Sequence, residues 1–344
     1  MDCEKIDIEN FLDLSESMPI CDVRSPSEYR SGHIPGAVNI PLFSDSERES
    51  VGIKYKKSGR IPAIKEGLTL VGPQLSTKLT EALKLTANNK LLVHCWRGGM
   101  RSESMAWLFS MSGIQTYTLI GGYKSYRQYI LEKLSEPKKM IILGGLTGSG
   151  KTHIINYLKT QGQQAIDLEG LANHKGSAFG AIGQNPQPTT EHFANILYNE
   201  WAKNDPQNPI WIEDESRNIG SVFLPDTYFN NMRKSPTIVL MMDMEVRLPL
   251  LLKEYSIFPK EELKNSIERI SKRLGGYNAK EAIKAIDLGN FAKAIKITLT
   301  YYDKAYLFGL SKKASENIIY VETETDDIKE NAAKILEAVN KIKF

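Results

Sequence analysis

Cys95 closes an apolar run, Leu91 to His94, and is followed by Trp96, Arg97, Gly98, Gly99, Met100, Arg101 and Ser102. A strand that delivers a cysteine to a glycine-rich loop, with a helix over 100–112 behind it, turns successive backbone N–H groups toward one point, which suits an anion. The same field favours thiolate over thiol, and Arg97 and Arg101 add full positive charge. A thiol of pKa about 8.5 is only about 3% ionised at pH 7, whereas one lowered to about 6 is roughly 90% ionised. The expected chemistry is a nucleophilic sulfur in an anion cradle, with Cys95, Arg97 and Arg101 as its catalytic residues. The plain alternative is a buried cysteine at a strand end.

A second anion loop lies further on. Gly145 to Thr152 fits G-x-x-x-x-G-K-[ST], the Walker A pattern, after a strand at 140–145 and before a helix at 153–160. Glycines let the backbone wrap a phosphate closely, Lys151 supplies a point charge, and the Thr152 hydroxyl is placed for Mg²⁺. Gly145, Thr147, Gly148, Ser149, Gly150, Lys151 and Thr152 are therefore the expected phosphate or diphosphate binders. ATP and other diphosphate esters would satisfy the same donors. After a strand at 165–168, a loop gathers His174, Lys175 and Ser177 where open α/β sheets bind ligands, and these are expected on the substrate side. A strand at 209–212 runs into Glu213, Asp214 and Glu215, an arrangement similar to a Walker B region that holds Mg²⁺ through water. Asp214 is expected to point inward, with Glu215 second.

Two α/β domains must position these loops. The charged stretch Leu131 to Lys139, with Pro137, marks the boundary, giving a first domain at 1–134, a linker at 135–138 and a second domain at 139–344. Between Phe43 and Leu70 the pattern weakens into polar, locally basic sequence, read as a solvated insertion or an arm toward a polyanion. From Glu245 the pattern is helical to Leu310, and a last strand and helix close the chain. Phe193, Ile196, Leu197 and Trp201 share one helical face, as core residues would.

At 344 residues and 41% hydrophobic, the chain can bury two ordinary cores. Cys3, Cys21 and Cys95 are too few and too irregularly spaced for a disulfide framework or a zinc site. No apolar run approaches the roughly 20 residues of a membrane span, and no leader-like segment opens the chain, so no membrane partner and a cytoplasmic location are expected. The net charge of +3 conceals a local excess: Arg247 to Lys313 carries 14 Lys and Arg against 7 Asp and Glu. That stretch, about 245–313, is either a solvated helical surface or a contact for a phosphate backbone.

From Asp22 to Pro41 the chain matches D-x-R-S-x-x-E-x-x-x-G-H-I-P-G-A-x-N-I-P nearly residue for residue and so resembles the rhodanese family. The resemblance implies that Asp22, Arg24 and His33 pin the active-site loop. His94-Cys95, five residues, then Arg101-Ser102 also satisfies the H-C-x5-R-[ST] pattern of cysteine phosphatases, some of which share that fold. The loop is one residue longer than in common sulfurtransferases and suits a larger tetrahedral anion.

Taken with the Gly121 to Arg127 segment, the Walker A loop, Ala172 to Gly180, Glu213 to Gly220 and Ile270 to Gly276, the chain resembles the tRNA 2-selenouridine synthase family. That resemblance implies an α/β enzyme: an N-terminal rhodanese-like domain, then a P-loop NTPase-like parallel-sheet domain with a helical, basic C-terminal part. It implies a transferase that exchanges sulfur for selenium at C2 of the wobble uridine (position 34) of tRNA. Geranyl diphosphate first alkylates the 2-thiouridine sulfur, and selenophosphate then delivers selenium. On this reading selenophosphate meets Cys95, Arg97 and Arg101, and geranyl diphosphate lies against 145–152 with Mg²⁺. Phe179 and Phe193 wall the isoprenoid tail. The tRNA lies on Arg269, Lys272 and Arg273 and reaches Lys54, Lys56 and Lys57. No cofactor is expected to be tightly bound, and an enzyme that supplies selenophosphate is an expected partner. An ATP-dependent tRNA sulfurtransferase and a rhodanese-fold cysteine phosphatase stand as alternatives.

Overall fold

The computed structural model describes residues 3–86, 88–313 and 317–342. The chain forms two compact units, 1–133 and 134–344. The first contains β1 (Cys3–Ile6), α1 (Ile8–Ser15), β2 (Ile20–Asp22), α2 (Pro26–Ser31), β3 (Val38–Asn39), α3 (Asp45–Ser58), α4 (Arg60–Val71), α5 (Leu75–Leu85), β4 (Lys90–His94), α6 (Met100–Ser110) and β5 (Gln115–Leu119); α7 (Gly122–Ser135) runs out of it. Its sheet is parallel throughout, in the order β1-β5-β4-β2-β3. β4 is central, and Leu91, Leu92, Val93 and His94 are all fully buried. Crossover helices cover both faces of a parallel sheet, so its middle strand is apolar on both sides and ends at the loop-bearing edge.

The stretch read as a solvated insertion or arm is a helical pair, α3 and α4, with α3 burying no residue, and its helices have a local cause. Ser44 and Glu47 form a reciprocal capping box that starts α3, and Gly59, at φ +84°, turns the chain into α4. α4 buries Ala63, Gly67 and Val71, and a Cβ on Gly67 would stand 3.1 Å from the Phe43 ring. Lys54, Lys56 and Lys57 project from α3 into solvent.

The second unit contains β6 (Met140–Gly145), α8 (Lys151–Thr160), β7 (Gln164–Ile166), α9 (Leu168–Ala172), α10 (Thr190–Ala202), β8 (Ile210–Glu213), the hairpin β9 (Asn218–Ile219) and β10 (Val222–Phe223), α11 (Asp226–Lys234), β11 (Thr237–Met242), α12 (Met244–Tyr255), α13 (Lys260–Leu274), α14 (Gly276–Asp287), α15 (Phe291–Leu310), β12 (Ile318–Thr323) and α16 (Ile328–Val339). Its main sheet is again parallel, in the order β12-β11-β6-β8-β7. β6 is central and every residue in it is buried. One face packs under Phe193, Leu197 and Trp201, the other under Ile154, Leu158 and Ile335. Helices α13–α15 build a further core around Leu263, Ile267, Ala282, Ile286 and Ala294. Among the described residues no helix is long and apolar enough to cross a membrane.

Candidate functional site

The cysteine loop is seated on backbone rather than on side chains. Gly98, at φ +64°, has no room for a Cβ, which would fall 2.3 Å from the Leu119 carbonyl oxygen; one on Gly122 would fall 2.4 Å from the Gly98 nitrogen. The Tyr123 N–H donates to the Cys95 carbonyl at 2.8 Å and the Lys124 N–H to that of Trp96 at 3.0 Å. Beneath lies a buried ion pair. Arg24 donates from Nη2 to Asp22 at 2.6 Å and to the Gly32 carbonyl at 2.7 Å, and its guanidinium lies 3.7 Å from the centre of the Tyr123 ring. Burial opposes ionisation of Asp22, but His94 and Arg24 outweigh it and hold the carboxyl below the usual range. His94, 3.7 Å from Asp22, is fully buried, and that burial pushes its pKa down. Cys95 Sγ lies 3.2 Å from Ser102 Oγ and is nearly buried at the mouth of α6.

Arg97 is exposed and has no hydrogen-bond or ion-pair partner among the described residues. Arg101, in contrast, donates to Glu28 from both guanidinium ends, at 2.6 and 3.3 Å. Burial of the Glu28 carboxyl is outweighed by Arg101, and its pKa is lowered. Arg97 is thus the uncommitted cation, and Arg101 serves an incoming anion only by leaving Glu28.

In the second unit a solvent-open cavity of about 540 Å³ is walled by Gly145, Thr147, Gly148, Gly150, Lys151 and Thr152. Gly148 (φ +80°) and Gly150 (φ +77°) take the left-handed turns that wrap the loop onto the α8 N-terminus. Lys151 Nζ donates to the Gly145 carbonyl at 3.1 Å and Thr152 Oγ1 to Glu169 at 2.9 Å. Glu213 is fully buried, and burial, then Glu169 and Asp167, push its carboxyl up to about 8. Burial and the other two glutamates also raise Glu215 well above the carboxylate range, and burial raises Glu169 against the pull of Lys151. Three carboxyls crowd here with too little positive charge to keep them all ionised.

Beside this cavity lies a narrow apolar slot of about 40 Å³. Thr147, Ser177, Leu251, Tyr255 and Tyr302 line both spaces, so the slot adjoins the phosphate-loop cavity.

Comparison with known proteins decides the family. The family described as "tRNA 2-selenouridine synthase AAA domain" matches residues 138–338, and "Rhodanese-like domain" matches residues 7–129. The tRNA 2-selenouridine synthase of Sulfurovum sp. (strain NBC37-1) is 34% identical over 333 residues, spanning 86% of this chain and 90% of the relative. That of Shewanella frigidimarina (strain NCIMB 400) is 35% identical over 338 residues, spanning 87% and 90%. That of Marinobacter nauticus (strain ATCC 700491 / DSM 11845 / VT8) is 34% identical over 350 residues, spanning 91% and 94%. The chain belongs to the tRNA 2-selenouridine synthase family.

In this member of the family of tRNA-modifying transferases, several site residues stand elsewhere than the sequence suggests. Asp214 lines the cavity, as expected, but its oxygens are already engaged: it accepts from Lys313 at 2.7 Å and Tyr306 at 3.2 Å, with Arg233 at 4.0 Å. Glu213 and Glu169 stand nearer Thr152, with Glu215 beside Glu169. Ser149 turns its side chain behind the loop; it is buried, its hydroxyl lacks a partner, and its N–H donates to Leu146. His174 is also buried away from the cavity wall, wedged where Cβ atoms on Gly180 and Gly220 would strike its ring, while Lys175 and Ser177 do line the cavity. Lys175 pairs there with Glu254, a partner 79 residues away. Phe179 lines the apolar slot, but Phe193 is sheet-side core. Arg269, Lys272 and Arg273 lie exposed on α13. Arg269 acts electrostatically on His174 and Arg273 on Tyr302, so this charge borders the substrate loop.

The acidic crowd bears on Mg²⁺. Among the described residues no three His, Cys, Asp or Glu side chains form a ready metal site. Oxygen donors nevertheless suit this hard cation, which keeps several waters and takes one or two carboxylates plus phosphate. One Glu213 carboxylate oxygen is buried without a hydrogen-bond partner, and Thr152 Oγ1 adjoins Glu169. The residues fit.

Proposed function

We propose that this chain forms 2-selenouridine at the wobble position (34) of tRNA in two steps, with the phosphorus donors divided between the loops. In the first, the 2-thiouridine sulfur attacks C1 of geranyl diphosphate; an S–C bond forms, the C1–O bond breaks and diphosphate departs with the electron pair. In the second, the selenium of selenophosphate attacks C2, the C2–S bond breaks and the geranyl thiol leaves; water then cleaves the Se–P bond, releasing phosphate. The observation that carries this reading is the apolar slot that shares walls with the phosphate-loop cavity. An amphiphile with an anionic head and a hydrocarbon tail matches that pair of surfaces, whereas the polar nucleoside of ATP would strand its hydrogen-bonding groups in the slot.

The loop amides and Lys151 hold the diphosphate and stabilise its growing charge as the bond breaks. Lys175 can turn from Glu254 to the same oxygens. Mg²⁺, when bound, would neutralise diphosphate charge, with Thr152, Glu169 and Glu215 as the residues to hold it. In the first unit, Arg97 and the α6 N-terminus hold the selenophosphate oxygens, and Cys95 engages the donor's selenium. The exposed cations of α13 support a tRNA backbone contact beside the cavity, and Lys54, Lys56 and Lys57 offer a second one.

The test is mass analysis of tRNA nucleosides after incubation with each donor. Geranyl diphosphate alone should give S-geranylated nucleoside, and both donors together should give 2-selenouridine. Product that depends on ATP and forms without geranyl diphosphate would overturn the reading in favour of an ATP-dependent sulfurtransferase.

A further inference from the structure

The apolar slot has a direction. Its α15 wall consists of Phe291, Ala294, Ile295, Thr298, Leu299 and Tyr302, which is the i, i+3, i+4, i+7, i+8, i+11 stripe of one helical face. The slot therefore runs along α15. Tyr302 also lines the phosphate cavity and Phe291 does not, so the first marks the mouth and the second the far end. Eleven residues separate them, about 16 Å along the helix axis at 1.5 Å per residue. At the far end Ile286 of α14 closes in beside Phe291, and Leu263 and Ile267 of α13 complete the wall.

The two hydroxyls on the α15 wall are already engaged. The Thr298 hydroxyl donates to the Ala294 and Ile295 carbonyls at 3.2 and 2.9 Å, and the Tyr302 hydroxyl accepts the Ala178 N–H at 2.9 Å. The α15 wall is otherwise apolar and suits a hydrocarbon occupant.

We infer that the α14–α15 junction sets the length of hydrocarbon chain the enzyme accepts, with Phe291 as the stop for the chain's end and Ala294 as the small residue that lets it pass. This rests on the Gly145 loop holding the diphosphate head. A head fixed at the loop gives the tail a fixed origin, so the distance to Phe291 acts as a ruler. Shortening the Phe291 side chain lengthens the slot; enlarging Ala294 blocks it part-way.

The experiment supplies dimethylallyl, geranyl and farnesyl diphosphate separately to the full-length protein with thiolated tRNA and compares kcat/KM for alkylation. In Phe291→Ala the ratio of the fifteen-carbon to the ten-carbon donor should rise about 10-fold or more, the scale on which apolar pockets discriminate chain size. Phe291→Leu should move it the same way by less. In Ala294→Phe the five-carbon donor should be favoured over the ten-carbon one by a similar factor. Unchanged tRNA affinity and circular dichroism certify the fold; should Phe291→Ala not fold, the leucine variant and Ala294→Phe carry the test. Ratios that stay within twofold of wild type in the folded variants would overturn the ruler. Failure of the wild type to use any of the three donors would instead overturn the diphosphate reading.

Discussion

The two anion loops share one plan, a central parallel strand running through glycines into a helix N-terminus, but they are stiffened by opposite means. Backbone clamps the Cys95 loop: Gly98 and Gly122 leave no room for a methyl group against neighbouring main chain. Side chains support the Gly145 loop. Leu251 stands 2.8 Å from where a Gly148 Cβ would be, and the Tyr306 hydroxyl accepts the Gly145 N–H at 2.9 Å. Their charges differ as well. Around Cys95 one glutamate offsets one of two arginines, leaving Arg97 free; around Lys151 three glutamates with raised pKa values gather, and the other lysine there, Lys175, is paired with Glu254. A loop with spare positive charge and a sulfur atom suits a group that reacts. One that is short of positive charge and adjoins an apolar slot suits a group that is held and then released, with a cation arriving alongside it.

The comparison makes graded demands. The largest effect belongs to Cys95→Ser, which should cut selenation about 10⁴-fold while S-geranylated tRNA accumulates, as nucleoside mass analysis would reveal. Loss of both steps together would break the division between the loops. Lys151→Ala should cut geranylation about 10³-fold in an initial-rate assay, and pre-geranylated tRNA should bypass the defect. Asp22→Ala leaves Arg24 buried and unpaired and should cost about 3 kcal/mol of unfolding free energy by urea titration, with geranylation intact at temperatures where the second unit stays folded. Lys272→Ala with Arg273→Ala should weaken tRNA binding and lower the slope of log affinity against log salt by about 2; an unchanged slope would take α13 out of the contact.

The smallest effect is a pH dependence confined to the first unit. Burial lowers the His94 pKa, so the folded state resists a proton that the unfolded chain binds near 6.5. The stabilising contribution is full above that value and is lost as pH falls through and below it toward the folded pKa. Between pH 7 and 5 the wild type should therefore lose more stability than His94→Gln, and equal losses would refute the shift.

Both loops were legible in the sequence because each is local: strand, glycines and charge fall within a dozen residues. The partners that decide their chemistry are not local. Nothing near Asp214 announces that Lys313 and Tyr306, more than 90 residues on, will claim it while Glu169 and Glu213 stand nearer Thr152. The Phe179 and Phe193 rings look equally apolar in sequence; only the packing of α10 on the sheet assigns Phe193 to the core. β1 escaped notice for a simpler reason, since on the sheet edge only Ile6 of its four residues is buried and no alternation develops.

The contact between Gly148 and Leu251 also limits how this protein can diversify. Leu251 belongs to both the seat of the phosphate loop and the wall of the slot, so under the proposed function a change there would alter head and tail recognition together. Under the same proposal the α14–α15 junction would meet only the tail. Lineages that adopt a different hydrocarbon, and engineers who want the same outcome, should find their permissive substitutions at that remote end and leave the seam beneath the loop alone.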